Sequence, residues 1–345
     1  MKSHRSTNDQ AGTTISARQL QLSIRDLEKV DPWKGFWKFL TLILFFCASS
    51  AGAISTESTL VFLILGITGG IIGAALLILT HDSIHDTLTG WTWFDEHIPR
   101  ISNGILWFHG LYKEIHKIHH KMNGDDIEDP ERVQWTIQEY QQASPFVRFY
   151  VRHQWFFDIF IFAGLGLIYK TVSHASRYYP KSKAVRREFA LDLLGIMGSH
   201  AVIYGTALAQ GVAMKYFVYW IILERVAGGI LQWRAHIEHY GLWGKGRHFF
   251  ETQILNCRNI RTNFLAQWYF NYLNYHSVHH AFPRIPFYNL REAHLRVTQI
   301  LRDVDQNYPL PEAEGYFKTS FEIASRPTLI GDETKPSGQR HMIAI

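Results

Sequence analysis

Ser58 to Thr80 reads STLVFLILGITGGIIGAALLILT, and His81 follows it directly. The run carries no charge, and the only acid near its start is Glu57, just outside it. A bilayer core takes roughly 20 mostly apolar residues in a helix, so this stretch reads as a membrane span that ends on a histidine. Upstream, Trp37 to Ile54 (WKFLTLILFFCASSAGAI) is a second such run, separated from the first by Ser55, Thr56 and Glu57 alone. A turn that short makes a tight hairpin, and its lack of Lys and Arg suits the non-cytoplasmic side. Downstream, Ala190 to Val212 (broken by Asp192 and His200) and Tyr216 to Trp233 (broken by Glu224 and Arg225) form a second hairpin around Gly211 to Lys215. Trp155 to Tyr169 is short for a span, and the loop Lys170 to Glu188 after it holds six Lys or Arg against one acid. Crossing would leave that basic loop outside, so an in-plane or re-entrant helix is expected there. The expected fold is an all-α integral membrane protein with about four transmembrane helices in two hairpins, both termini cytoplasmic, and a cytosolic helical cap.

The bulk numbers hide this pattern. The chain has 345 residues and a net charge of +5, and its mean hydropathy of -0.10 resembles that of a soluble protein because the apolar residues are bunched. The basic residues flank the spans, as cytoplasmic-facing residues do, which points away from nucleic acid. Cys47 and Cys257 are too few for a disulfide framework. The first apolar run begins after some 35 polar residues and lacks a cleavage site, unlike a secretory signal. Residues 1–31 read as a flexible polar segment with a short helix near Ala17 to Val30, 32–310 as the membrane-bound catalytic domain, and 311–345 as a polar tail.

Three histidine groups stand just beyond the apolar runs. His81 and His85 in HDSIHD are four apart, on one face of a helix continuing from the span. His116, His119 and His120 in HKIHH repeat the spacing of His276, His279 and His280 in HSVHH. In each triplet the first two rings are expected on one helical face, with the third beside them. Imidazole suits iron, zinc, copper or nickel, and eight rings exceed what one ion uses, so two metals close together are expected. A metal transporter would place such ligands near the membrane midplane, whereas these follow the spans.

With these boxes in view, the chain resembles the membrane fatty acid desaturase family, which includes lipid and carotenoid hydroxylases and ketolases. The resemblance runs from about His81 to His294, through HDxxH, HxxHH and HxxHH in order. The third box continues as NYHSVHHAFPRIPFYNLREAH, and RAHIEHYG (Arg234 to Gly241) resembles the element ahead of it, adding His239 as a ninth ligand. The resemblance implies two non-haem irons that activate O2 against an unactivated C–H bond, giving a double bond in a fatty acid or membrane lipid, or alternatively an alcohol or ketone on a carotenoid or similar hydrophobe. It implies electrons from a separate ferredoxin or cytochrome b5-type carrier, because no haem-binding HPGG element is present. Ligand histidines need outer partners to fix their tautomers. Asp82, Asp86, Asp129 and Glu238 are the candidates by proximity in sequence, and Asn274 is a candidate to hold water or a ring N–H near the site. His236, three residues before His239, is the weaker ligand candidate of the two.

Overall fold

The computed structural model describes residues 17–306, 308, 310–334 and 340–345. The first sixteen residues of the segment read as flexible therefore lie outside the described residues. The remainder holds the short helix expected near Ala17 to Val30, and it is packed rather than flexible. Helix α1 (Ala17–Ile24) buries Leu20 and Ile24, and Leu27 in the following 3-10 turn joins the same core.

Helix α2 (Pro32–Ser55) starts where Asp31 accepts a hydrogen bond from the Trp33 amide, with Pro32 as first helical residue. After the turn, Ser58 caps α3 (Thr59–Ile84), which carries the opening stretch down to HDSIHD. The helices α4 (Thr92–Asn103) and α5 (His109–Met122) follow, then the short α6 (Ile137–Gln142) and α7 (Pro145–Arg152). Next come α8 (Gln154–Phe156), a π-helical stretch (Phe157–Phe162) and α9 (Ala163–Tyr178). The long pair α10 (Lys183–Ala209) and α11 (Ala213–His239) completes the bundle. Small residues on α3 let α11 press against it. A Cβ on Gly69 would stand 2.5 Å from the Tyr219 hydroxyl, and one on Gly70 would stand 2.5 Å from Val226 Cβ. The α2–α3 and α10–α11 turns lie at the same end of the bundle, where Lys215 Nζ donates to the Thr56 carbonyl.

Among the described residues, four helical segments are long and apolar enough to cross a membrane: α2, α3, Gln154–Tyr178 and α10. Helix α11, expected as a span, is not among them. It is as long as α10 but carries Lys215, Glu224, Arg225, Arg234 and Glu238. Part of that polarity has a structural task. The segment Gln154–Tyr178 breaks at Ala163, whose φ of 42° lies in the left-handed region. Backbone groups freed inside an apolar layer need partners, and α11 supplies them: Glu224 Oε1 accepts from Leu165 N (2.5 Å), Arg225 donates to Phe162 O (3.0 Å) and Gln232 to Ala163 O (3.2 Å). Both ends of the broken segment meet one loop. Gln154 donates to Val133 O (2.9 Å) and Arg177 pairs with Glu128 (3.1 Å).

Beyond α11 the chain forms α12 (Phe249–Leu255), β1 (Asn259–Arg261), α13 (Phe264–Tyr269), α14 (His276–Ala281) and α15 (Leu290–Val304). The stretch read as a polar tail is also built into the fold. Its β2 (Glu312–Glu314) pairs parallel with β1, and α16 (Tyr316–Ser325) buries Tyr316 and Ser320. The antiparallel β3 (Thr328–Thr334) and β4 (Arg340–Ala344) hold Leu329 and Ile330 out of solvent.

Candidate metal centre

Four elements bring the histidines together: the end of α3, the second half of α5, the end of α11 and all of α14. Two groups result, each with donor atoms within 4.8 Å of one another. The first joins His81, His85, His116, His120 and His279, and the second joins His239, Cys257, His276 and His280. The His119 ring turns to the second group, with its centroid 5.0 Å from that of His239 and 4.9 Å from that of His280. The groups adjoin where His120 and His280 stack at 4.2 Å.

The expected pairing of first and second box histidines is corrected here. His116 and His120 enter one group while His119 faces the other, and His276 and His280 stay together while His279 crosses. At 100° per residue, positions four apart differ by about 40° around the helix and positions three apart by about 60° on the opposite flank. The middle ring of each box is therefore free to serve the other group.

The nitrogens stand at spacings compatible with donors around a metal ion. His81 and His116 approach Nε2 to Nε2 at 2.8 Å, His116 and His120 at 3.0 Å, and His239 and His276 at 2.9 Å. Imidazole nitrogens bind a first-row ion at about 2.0–2.1 Å, which puts neighbouring donors about 3 Å apart. The Nε2 atoms of His85, His119, His279 and His280 are buried without a hydrogen-bond partner. Four such atoms are costly unless something binds them. Burial, aggravated by neighbouring imidazoles, holds His85, His116, His120, His276, His279 and His280 well below the usual 6.5, as neutral ligands require. His119 goes the other way. Burial lowers it too, but the Asp129 and Glu131 carboxylates outweigh that and raise it.

The expected outer residues divide. Both Asp129 oxygens meet His119 Nδ1, at 2.8 and 2.9 Å. Glu238 lies 3.4 Å from His276 Nε2 and pairs with Arg234 at 3.0 Å. Asp82 lies 3.8 Å from His81 Nδ1 and accepts from the Phe287 amide, tying α3 to the segment after the third box. Asn274 donates to Ile260 O (3.1 Å), bracing β1 against the start of that box. Asp86 is turned out to solvent and faces Lys113 at 3.4 Å. His236 bonds Asp158 (3.0 Å) and belongs to neither group. Four partners escaped the sequence reading: Glu131 at 2.8 Å and the Tyr112 hydroxyl at 3.3 Å from His116 Nδ1, Gln253 at 3.1 Å from His280 Nδ1, and Cys257 at 3.9 Å from His239 Nδ1. Glu131 left a trace in the sequence, two residues after Asp129.

A cavity of about 100 Å³ opens onto both groups. His81, His116, His239 and His276 line it, together with apolar Leu77, Trp107, Leu167 and Leu231. Arg234 and Gln232 give it a polar edge.

A sequence model of the fatty acid desaturase family matches residues 57–310, which contain every histidine of both groups. A Delta(8)-fatty-acid desaturase of Euglena gracilis is 23% identical over 68% of this chain and 60% of its own length. A fatty acid conjugase of Calendula officinalis is 24% identical over 76% of this chain and 75% of its own. A ceramide hydroxylase of Caulobacter vibrioides is 27% identical over a shorter stretch, 39% of this chain and 38% of its own. Apolar helices, buried imidazole groups and the family match converge: the chain is a membrane oxidoreductase that belongs to the fatty acid desaturase family.

Proposed function

We propose that the protein is an O2-dependent di-iron desaturase that introduces a double bond into the acyl chain of a fatty acid or membrane lipid. The observation that carries this reading is the pair of buried imidazole groups, with unpartnered Nε2 atoms, at the wall of a largely apolar cavity. The donor set fits iron: it is all-imidazole apart from one thiol, and His81, His85, His116, His120 and His279 would hold one ion, with His119, His239, His276 and His280 holding the other. When bound, the iron pair supplies oxidation of an unactivated C–H bond with O2 and electrons from a ferredoxin or cytochrome b5-type donor.

The chain's own residues do the rest. The apolar lining takes the acyl chain out of water and orients it along the histidine wall. Asp129, Glu131 and Gln253 hold the Nδ1 side of their rings, so that each Nε2 points inward. Asp82 and Asn274 fix the segments that carry His81 and His276. In the membrane, α2–α3 and α10–α11 form the two hairpins, and Gln154–Tyr178 enters and returns on one side, the cytoplasmic one, where the metal centre sits. The common loop met by both its ends and the shared turn end at Thr56 and Lys215 support that topology. Residues 32–310 form the catalytic unit.

The hydroxylase reading on a carotenoid or other hydrophobe keeps one observation in its favour, the similarity to a ceramide hydroxylase. Expression with a donor system in a host rich in saturated lipids and carotenoids separates the two. A lipid species two hydrogens lighter, absent with His279→Ala, is expected. A species heavier by one oxygen would transfer the assignment to hydroxylation.

A further inference from the structure

Lys38 stands inside α2, the first apolar helix, yet only 9% of it is exposed. An ionisable side chain within a membrane helix is costly and points to a functional site. Its partners lie on both sides of the third histidine box. Ahead of the box, Lys38 Nζ donates to the Trp268 carbonyl at 2.6 Å and to Asn271 Oδ1 at 3.0 Å. Trp268 is in the last turn of α13, where a cation complements the free carbonyls. The ammonium also stands 4.7 Å from the Trp268 ring centroid and 4.9 Å from that of Phe287, which follows the box. The Phe287 amide in turn donates to Asp82, the residue after His81, and Lys38 and Asp82 attract each other.

The turn that Lys38 holds is strained. Asn271 and Tyr272 both have a φ of 55°, a left-handed conformation that Asn tolerates and Tyr does not. Such residues persist only where the surroundings hold them, and they gather at functional sites. His276 comes four residues after Tyr272, so this turn sets the direction in which the chain enters the box.

We infer that Lys38 is a positioning residue for the metal centre: its ammonium clamps the left-handed turn at Asn271 and Tyr272 ahead of the third box and the Phe287 ring behind it, and so aims His276, His279 and His280. This rests on the reading of the two groups as metal sites. His276 and His280 belong to one group and His279 to the other, so loosening the box weakens both ions together. A partner such as Asp129 backs a single ring.

The test is metal binding by the purified full chain. The metal-free protein is titrated anaerobically with Fe2+, and with Co2+ for its absorption bands, in wild type, Lys38→Met, Asn271→Gly and the double variant. Methionine keeps the apolar stem and removes the ammonium. It is expected to weaken binding of both ions by about 10–100-fold, the range for outer supports of metal ligands, and to shift the cobalt bands. Asn271→Gly alone should change little, since Lys38 already holds the turn. In the double variant, glycine enters the left-handed region without steric cost and leaves no side-chain acceptor unpaired. Part of the lost affinity should therefore return, which a general loosening of the helices would not allow. Wild-type affinity for both ions in Lys38→Met would overturn the inference. So would loss of one ion alone, or a double variant that binds no tighter than Lys38→Met. A wild-type chain that takes up neither Fe2+ nor Co2+ would instead sink the metal-centre reading itself.

Discussion

The two HxxHH boxes have the same spacing and different surroundings. The first lies on α5, a helix of 14 residues, and its outer partners Asp129 and Glu131 are carboxylates from the loop that follows. The second makes up most of α14, a helix of six residues, and is backed by the neutral Gln253, while Glu238 from α11 stands 3.4 Å from the inward Nε2 of His276. A long helix positions its own rings, and the nearby loop adds charge. A short helix has to be clamped from elsewhere, by Asn259 on Ser277 and by Asn274 on β1. Identical motifs therefore need not make identical ligands. In each box the middle ring crosses to the other group.

That exchange makes the strongest prediction. His279→Ala, changed in the second box, should strip an ion from the group dominated by the first box, and His119→Ala should do the converse. Product should fall to background in both, with bound iron dropping from two ions to one per chain by elemental analysis. If each variant instead lost the ion of its own box, the crossing would be wrong.

The difference in backing predicts a graded effect next. Asp129→Asn removes the charge behind His119 and should weaken binding of one ion by about 10–100-fold. Gln253→Leu removes a neutral partner and should sit at the low end of that range. Equal losses would mean that carboxylate and carboxamide do the same work.

Acidification probes both boxes at once. A histidine whose folded pKa lies below 6.5 binds its proton first in the unfolded chain, so its neutral burial favours the fold above about pH 6.5 and that advantage shrinks as the pH falls. His85, His116, His120, His276, His279 and His280 all act in this direction. His119, raised, contributes stability at low pH that is lost as the pH rises through its folded value. The metal-free protein should therefore lose thermal stability as the pH is lowered below about 6.5. A melting temperature that stayed flat from pH 7.5 to 5.5 would contradict the neutral burial of these rings.

The boxes were legible because their spacing is local, although spacing alone misreads the pairing within them: the first and third rings of each box share a group and the middle one crosses. The first two spans were legible for the same reason, as unbroken apolar runs, whereas Tyr216 to Trp233, expected to cross, lies in a helix too polar to stand among the candidate spans, and Gln154–Tyr178, expected in-plane, is apolar enough. What the sequence left dark depends on tertiary distance. Gln253 is 27 positions from His280 and Cys257 is 18 from His239, so no spacing rule links them. Glu224 and Arg225 read as mere interruptions of a span until the break at Ala163 shows which backbone groups they satisfy. The polar look of the C-terminal stretch concealed Leu329 and Ile330, because two apolar residues in a short strand make no periodic signal.

HDSIHD supplies the smallest prediction and the sharpest control. Asp82 and Asp86 each follow a histidine of the first group directly, and both were candidates by proximity in sequence. The backbone separates them. Asp82 is still in α3, buried, and accepts from the Phe287 amide. Asp86 comes one residue after the helix cap, at φ 58°, a left-handed conformation that Asp and Asn tolerate. Its side chain is 72% exposed and pairs with Lys113. Exposed pairs of this kind contribute about 0–1 kcal/mol, and surface changes usually stay within about 0.5 kcal/mol. Asp86→Asn keeps the backbone preference and removes only the charge, so iron content and product yield should match wild type. Asp82→Asn, which disturbs the contact between α3 and the third-box segment, should lower iron retention on dialysis against a chelator. A tenfold loss of iron in Asp86→Asn would mean that the Lys113 pair reaches the metal centre through α5, and that burial was the wrong criterion for choosing between the two acids.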